Sequence, residues 1–302
     1  MAFRDAVTRL GDAEIRWSLL TVPWAEAANR LGDDWHYVPR GPARHHIGVS
    51  FVEEDGQLFR ADPPTRLERG PRHVPWSLNF LPRGGDRYES HAYCWHAWVE
   101  GLEGDDVATA RIHNRLALEA ADSHLRYLQG LVPALAAPLL LREACLLIHG
   151  CALVDPHTGE ATLFVGASGD GKTTMVRRLQ GWELLADDTV LLDLRGDRAM
   201  VSGTIIAGKE GLPRSGKPHP LTRVVPLDPG SDELSLRPIK TDEAFRIWME
   251  RIMWFIPEGP LVLRLSELVR DLALTLPAFR LSSNLGHDLE GVFCSEMIGV
   301  RP

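Results

Sequence analysis

The sequence predicts an α/β protein: a mixed sheet flanked by helices, preceded by an N-terminal α+β domain. Two observations carry this reading. A strand, a glycine-rich loop and a helix follow one another between Ala161 and Leu179, and hairpin-like apolar runs flank them. Helical periodicity then returns near Asp242–Phe255 and Ser266–Leu274. A chain of 302 residues is long enough for two hydrophobic cores, and the expected division is 1–130 and 131–302.

Along the first part, apolar residues recur at helical spacing from Pro23 to Leu31, where Gly32 supplies a stop. Short apolar runs between His46 and Tyr93 predict a β-rich unit with a hairpin turn at Glu54–Gly56. Helical character is expected over Asp105–Gln129. The prolines of GLVPALAAP are expected to interrupt it and mark the domain boundary.

Composition narrows the function. The apolar fraction is 44% and the charged fraction 25%, as in folded globular proteins. A net charge of -8 argues against a nucleic-acid partner. The N-terminus lacks the apolar run of a signal peptide, and the apolar stretch Leu131–Leu141 is too short for a bilayer. Cys94, Cys145, Cys151 and Cys294 form no CxxC pair, which fits a reducing, cytoplasmic setting.

Gly166-Ala167-Ser168-Gly169-Asp170-Gly171-Lys172-Thr173 matches GxxxxGK[ST] in full and follows the apolar run Ala161–Val165. Such a loop turns tightly enough to aim successive N–H groups at phosphate oxygens. The predicted nucleotide contacts are Gly166 to Lys172, Thr173 and Thr174. Lys172 would face the β- and γ-phosphates, and the Thr173 hydroxyl would help hold Mg2+. The expected cosubstrate is ATP.

Cys145 to Val154 reads as a strand carrying His149, with a turn at Asp155–Gly159 that leads into the loop strand as an antiparallel hairpin. Downstream, Asp187 and Asp188 stand side by side between apolar runs, and neighbours on a strand face opposite sides. One carboxylate is then available to a metal and the other to an acceptor hydroxyl. Asp187, oriented by His149, is the candidate base, with Lys172 as the third catalytic group.

HGCALVDPHTGEATLFVGASGDGKTT followed by LLADDTVLL resembles the catalytic core of HPr kinase/phosphorylase and its kinase-like relatives, which share a fold with PEP carboxykinase. The likeness is close over Ala144–Val190 and looser to the C-terminus. It implies that His149 pairs with Asp187, that Asp187 is the base, and that Asp188 and Thr173 assist the metal. Val201–Gly208 lacks the acid and arginine of the bacterial HPr kinases, so HPr is not the expected substrate. The segment looks more like diverged relatives associated with peptide tailoring. The implied acceptor is a hydroxyl of a peptide, protein or small molecule.

Other features are weaker signals. Lys209, Arg214, Lys217 and Arg223 lie in or beside a Gly/Pro loop where one cation could meet a phosphoryl group. His91, Cys94 and His96 match no full metal-ligand set. Trp95, Trp98, Trp248 and Trp254 read as core residues. Two alternatives stay open: a nucleotide-binding regulatory or scaffold protein, and an ATPase without an acceptor. A homo-oligomer is compatible with either.

Overall fold

Alternation builds the first strands: Ala13, Ile15 and Trp17 are fully buried while Glu14 and Arg16 face outward. A computed structural model describes residues 4–20, 26–28, 31, 44–51, 80–91, 95–104, 108–114, 121–206, 208, 212, 214–289, 291 and 293. The chain forms two units, one of residues 1–146 with 253–265 and one of 147–252 with 266–302.

In the first unit, β1 (Arg4–Leu10) and β2 (Ala13–Leu20) form a hairpin around Gly11. They join β3 (His45–Phe51), β4 (Phe80–Pro82), β5 (Arg87–His91), β6 (Trp95–Glu100) and β7 (Ala108–Asn114) in a seven-stranded sheet of order β1-β2-β3-β7-β6-β5-β4. The β2–β3 and β3–β7 pairings are parallel and the rest antiparallel. Buried Trp17 donates its indole N–H to Thr8 Oγ1 at 2.9 Å. Of the expected Pro23–Leu31 helix, residues 26–28 and 31 are described, and they are helical. The Glu54–Gly56 turn lies outside the described residues.

Two expectations are corrected here. Ala108–Asn114 is a strand rather than part of a helix, because Ala108, Ala110 and Ile112 are buried between β3 and β6 while Thr109 and Arg111 point out. Helix α1 (Ala121–Arg142) runs straight through Pro133 and Pro138, which were expected to interrupt it. A helix-interior proline costs about 3 kcal/mol. A buried Leu or Val returns about 1.5–3 kcal/mol, and Leu131, Val132, Leu135, Leu139, Leu140 and Leu141 are all at most 1% exposed. Burial wins, and the division between units falls after Leu146.

The second sheet comprises β8 (Cys145–His149), β9 (Cys151–Val154), β10 (Ala161–Val165), β11 (Glu183–Ala186), β12 (Thr189–Asp193), β13 (Met200–Gly203) and β14 (His219–Pro229), in the order β11-β9-β10-β14-β13-β12-β8. β15 (Ser235–Pro238) and β16 (Phe279–Ser283) extend it beside β14. Helices α2 (Lys172–Arg178), α3 (Thr241–Arg251) and α4 (Pro260–Thr275) complete the description, the last two matching the expected C-terminal helices. The architecture is two mixed sheets flanked by a few helices.

The hairpin of β9 and β10 forms as expected, with Val154 opposite Ala161 and Cys151 opposite Phe164. The expected single strand Cys145–Val154 does not form. It breaks at Gly150, and its halves take places far apart in the strand order. Gly150 donates its N–H to Asp188 O at 2.8 Å, and a β-carbon there would press on Leu163 and the Phe164 carbonyl. A second break, Asp187-Asp188, separates β11, which pairs with β9, from β12, which neighbours β8. Both chains change partners at one level, and that level carries the candidate site.

Candidate active site

Ala161 to Val165 are all buried, which fixes β10 between β9 and β14 and delivers Gly166 to the carboxyl end of that strand. The loop then closes onto α2 through Gly171, whose φ of 94° is reached at little cost by glycine alone. Lys172 begins the helix at 8% exposure, and its ammonium donates to the carbonyls of Gly166 at 2.8 Å and Ala167 at 3.0 Å. Burial pushes its pKa down, the Asp188 carboxylate opposes this, and Arg251 adds to the depression. Asp170 accepts the Ala167 N–H through its carboxylate. Ser168 and Gly169 are exposed at the loop tip, and Thr173 and Thr174 are half-buried in the first turn of α2.

The carboxylates separate as neighbours at a strand break should. Asp187 is 5% exposed and accepts the Gly208 N–H at Oδ1, 3.1 Å away. Burial raises its pKa, the Gly208 hydrogen bond lowers it, Asp188 adds to the rise, and Arg214 also lowers it. Asp188 is more open: Oδ2 accepts the Thr189 hydroxyl at 3.0 Å and Oδ1 lies 3.8 Å from His149 Nδ1. The imidazole therefore stands beside Asp188, whereas the expected partner was Asp187. The break at Asp187-Asp188 turns Asp187 toward Gly208 instead. Burial holds the His149 pKa below its usual value against the pull of Asp188, and Lys172 and Arg251 depress it further. The ring is thus chiefly neutral at pH 7.

Two residues of this site were not picked out from the sequence. Arg251 ends α3, and the bridge Ile148↔Ile252 sets it next to His149. Its charge is felt by both His149 and Lys172. Its Nε is buried without a hydrogen-bond partner among the described residues, and its recorded ion pair is a long one, 3.7 Å to the exposed Glu250. Nothing in the local sequence marks it, since the bridge to β8 is a long-range contact. Gly208 was visible only as the end of the segment compared with the glycine motif and the start of the Gly/Pro/basic loop 208–220, with no role assigned. A β-carbon on Gly208 would overlap the Asp187 carboxylate, so the close approach requires glycine. Gly208→Ala should therefore displace Asp187 and abolish at least 90% of any activity that depends on it. Near-parental turnover in a folded Gly208→Ala chain would contradict this.

The four basic candidates separate. Arg214 acts on Asp187. Arg223 donates Nε to Thr162 Oγ1 at 2.7 Å with its guanidinium 5.5 Å from the centre of the Phe293 ring, a packing role. Lys217 is exposed, and Lys209 lies outside the described residues. Among the described residues no group of three or more His, Cys, Asp and Glu side chains is arranged to hold a metal. The Cys94 position and the side chains of His91 and His96 lie outside the description. Trp248 is fully buried as expected, while Trp98 is 36% exposed. No described helix is long and apolar enough to cross a membrane.

No family model matches the chain, and no curated protein matches it. Among solved structures, the HPr(Ser) kinase/phosphatase from Coxiella burnetii matches over 42% of this chain and 96% of its own, at 20% identity and a TM-score of 0.23. A likeness at that score carries no argument about activity.

Proposed function

We propose that this protein is an ATP-dependent kinase that transfers the γ-phosphoryl group to a hydroxyl of a peptide, protein or small molecule, on a sheet of the PEP carboxykinase/HPr kinase type. One observation carries the reading: a phosphate loop with its lysine, a carboxylate pair in two different environments, and an arginine meet where β8–β9 and β11–β12 change partners. Phosphoryl transfer needs little covalent chemistry from a protein, chiefly position and charge, and these groups supply both.

In this reading the amides of Gly166 to Thr174 and the Lys172 ammonium hold the triphosphate. Thr173 and Asp188 would hold Mg2+, and few protein oxygens suffice because phosphates and water complete the shell of that ion. Mg2+ held there would supply positive charge to the phosphates. His149 stands beside Asp188, its Nδ1 3.8 Å from the carboxylate. Asp187, whose proton affinity is raised by burial, accepts the proton of the acceptor hydroxyl. The new bond joins acceptor oxygen to γ-phosphorus, the bond to the β–γ bridging oxygen breaks, and ADP leaves. Arg251 and Lys172 face the charge that spreads over the transferring group.

Two results follow. Arg251→Ala should lower kcat by about 10²–10³-fold, the usual loss of one transition-state donor, while Arg251→Lys restores part of it. An unchanged kcat in Arg251→Ala would remove this residue from the site. The kcat–pH profile should fall as pH drops through the raised Asp187 pKa, placing its acid limb above the ordinary aspartate value. The reading as a whole is tested by ADP release with and without hydroxyl acceptors. Acceptor-dependent release supports a kinase, and release that no acceptor accelerates supports an ATPase.

A further inference from the structure

The seven-stranded sheet of the first unit has one buried face and one open face. Ile15, Trp17, Ile47, Val49, Val99 and Ile112 are fully buried, while their strand neighbours Arg16, Trp98, Thr109 and Arg111 face solvent. β2, β3 and β7 run parallel, and sheets of parallel strands are ordinarily covered on both faces. Gly48 sits at the centre of the open face, opposite Arg16 on β2 and Thr109 on β7, so a notch lies between those two side chains. Glycine weakens a strand interior and ordinarily marks a bulge, a bend or the close approach of another group. The register of β3 against both neighbours is unbroken, so no bulge calls for it. A β-carbon on Gly48 would meet no atom within 4 Å, so no neighbouring group of the chain calls for it either. A close approach from another molecule is the reason that is left.

Charge selects the occupant. Glu14, Glu89 and Glu100 on this face are already paired, with Arg16 and the His46 ring, with Arg83 and with Arg87 respectively. Arg111 is exposed and has no ion pair or hydrogen bond among the described residues. It follows Thr109 by two residues on the same side of β7, and across the strands it stands opposite Trp98, which is 36% exposed. Tryptophan and arginine are the side chains that most often carry the binding energy of an interface. We infer that this face docks an acidic peptide segment of a partner protein, its backbone crossing Gly48 and its carboxylates meeting Arg111 and the exposed guanidinium of Arg16. The interspersed glutamates repel the continuous phosphates of a nucleic acid, whereas spaced carboxylates reach the arginines between them. Seven strands about 4.8 Å apart make the face about 29 Å wide, which an extended peptide of about nine residues crosses. The surface stands or falls independently of phosphoryl transfer in the second unit.

Fluorescence anisotropy of the full chain tests this with labelled probes: a peptide of about nine residues alternating Glu and Leu, its Lys-Leu counterpart, and a single-stranded oligonucleotide of similar length. The parent should bind the Glu-Leu peptide about tenfold more tightly than either other probe. Gly48→Val fills the notch with a residue suited to a strand, so it should melt no lower than the parent and bind the Glu-Leu peptide about tenfold more weakly. Arg111→Glu alters only an exposed side chain and should weaken the same peptide by about tenfold through charge reversal. A parent that does not bind the Glu-Leu peptide, equal or tighter binding of the oligonucleotide or the Lys-Leu peptide, or binding unchanged in both variants would overturn the assignment. So would a Gly48→Val chain that unfolds, because the glycine would then serve the fold. Self-association of the parent that Arg111→Glu abolishes would give the face to a second copy of the chain instead.

Discussion

Asp187→Asn is expected to lower kcat for phosphoryl transfer by about 10²–10⁴-fold, the range of a positioned general base, while ATP affinity stays within about threefold. The carboxamide keeps an oxygen for the Gly208 N–H and loses only the ability to accept a proton. A stability measurement separates this from unfolding. Burial raises the folded-state pKa of Asp187, so the ionised form is disfavoured in the folded chain. Above that pKa the parent carries in full a cost that asparagine lacks; the cost declines as pH falls from there toward the ordinary aspartate value and is gone below it, where folded and unfolded chains are both protonated. The variant should therefore melt no lower than the parent at pH 8, with the difference shrinking as pH falls. A folded Asp187→Asn protein with near-parental turnover would rule Asp187 out as the base.

Lys172→Ala has the second large effect. The ammonium is 8% exposed and already bonded to the Gly166 and Ala167 carbonyls, so it is aimed into the cradle rather than into solvent. A charge-assisted hydrogen bond contributes about 1.5–3 kcal/mol, which corresponds to about 10–100-fold in ATP affinity. Because removal also relieves the desolvation of a buried cation, little stability should be lost with it. Titration of ATP and ADP into the variant checks this, and unchanged affinity for both would place the triphosphate elsewhere.

The parts of the site written in contiguous residues were legible in the sequence. Val165 ends a strand, Gly166 to Gly171 turn, and Lys172 opens a helix, each determined by its immediate neighbours. The β9–β10 hairpin was legible for the same reason. The parts set by distant pairing were not. Gly150 resembles any strand glycine until its amide meets Asp188 and the strand splits between two places in the sheet. The partner of His149 depends on which way the Asp187-Asp188 break turns: Asp187 meets the distant Gly208 N–H, and Asp188 faces His149. Arg251 enters through one bridge between β8 and the end of α3. In the first unit, Pro133 and Pro138 signal a helix end locally and are overruled by burial of the leucines around them.

The central claim is that the groups gathered at the strand break move a phosphoryl group from ATP to a hydroxyl. It is tested most directly by incubating the purified chain and its Asp187→Asn form with a cell extract and ATP labelled with heavy oxygen at the γ-phosphate, followed by mass spectrometry. The account predicts labelled phosphate on an acceptor hydroxyl with the parent protein and its loss with Asp187→Asn. Equal labelling by both forms, or ATP binding by the parent with no labelled acceptor, would contradict it.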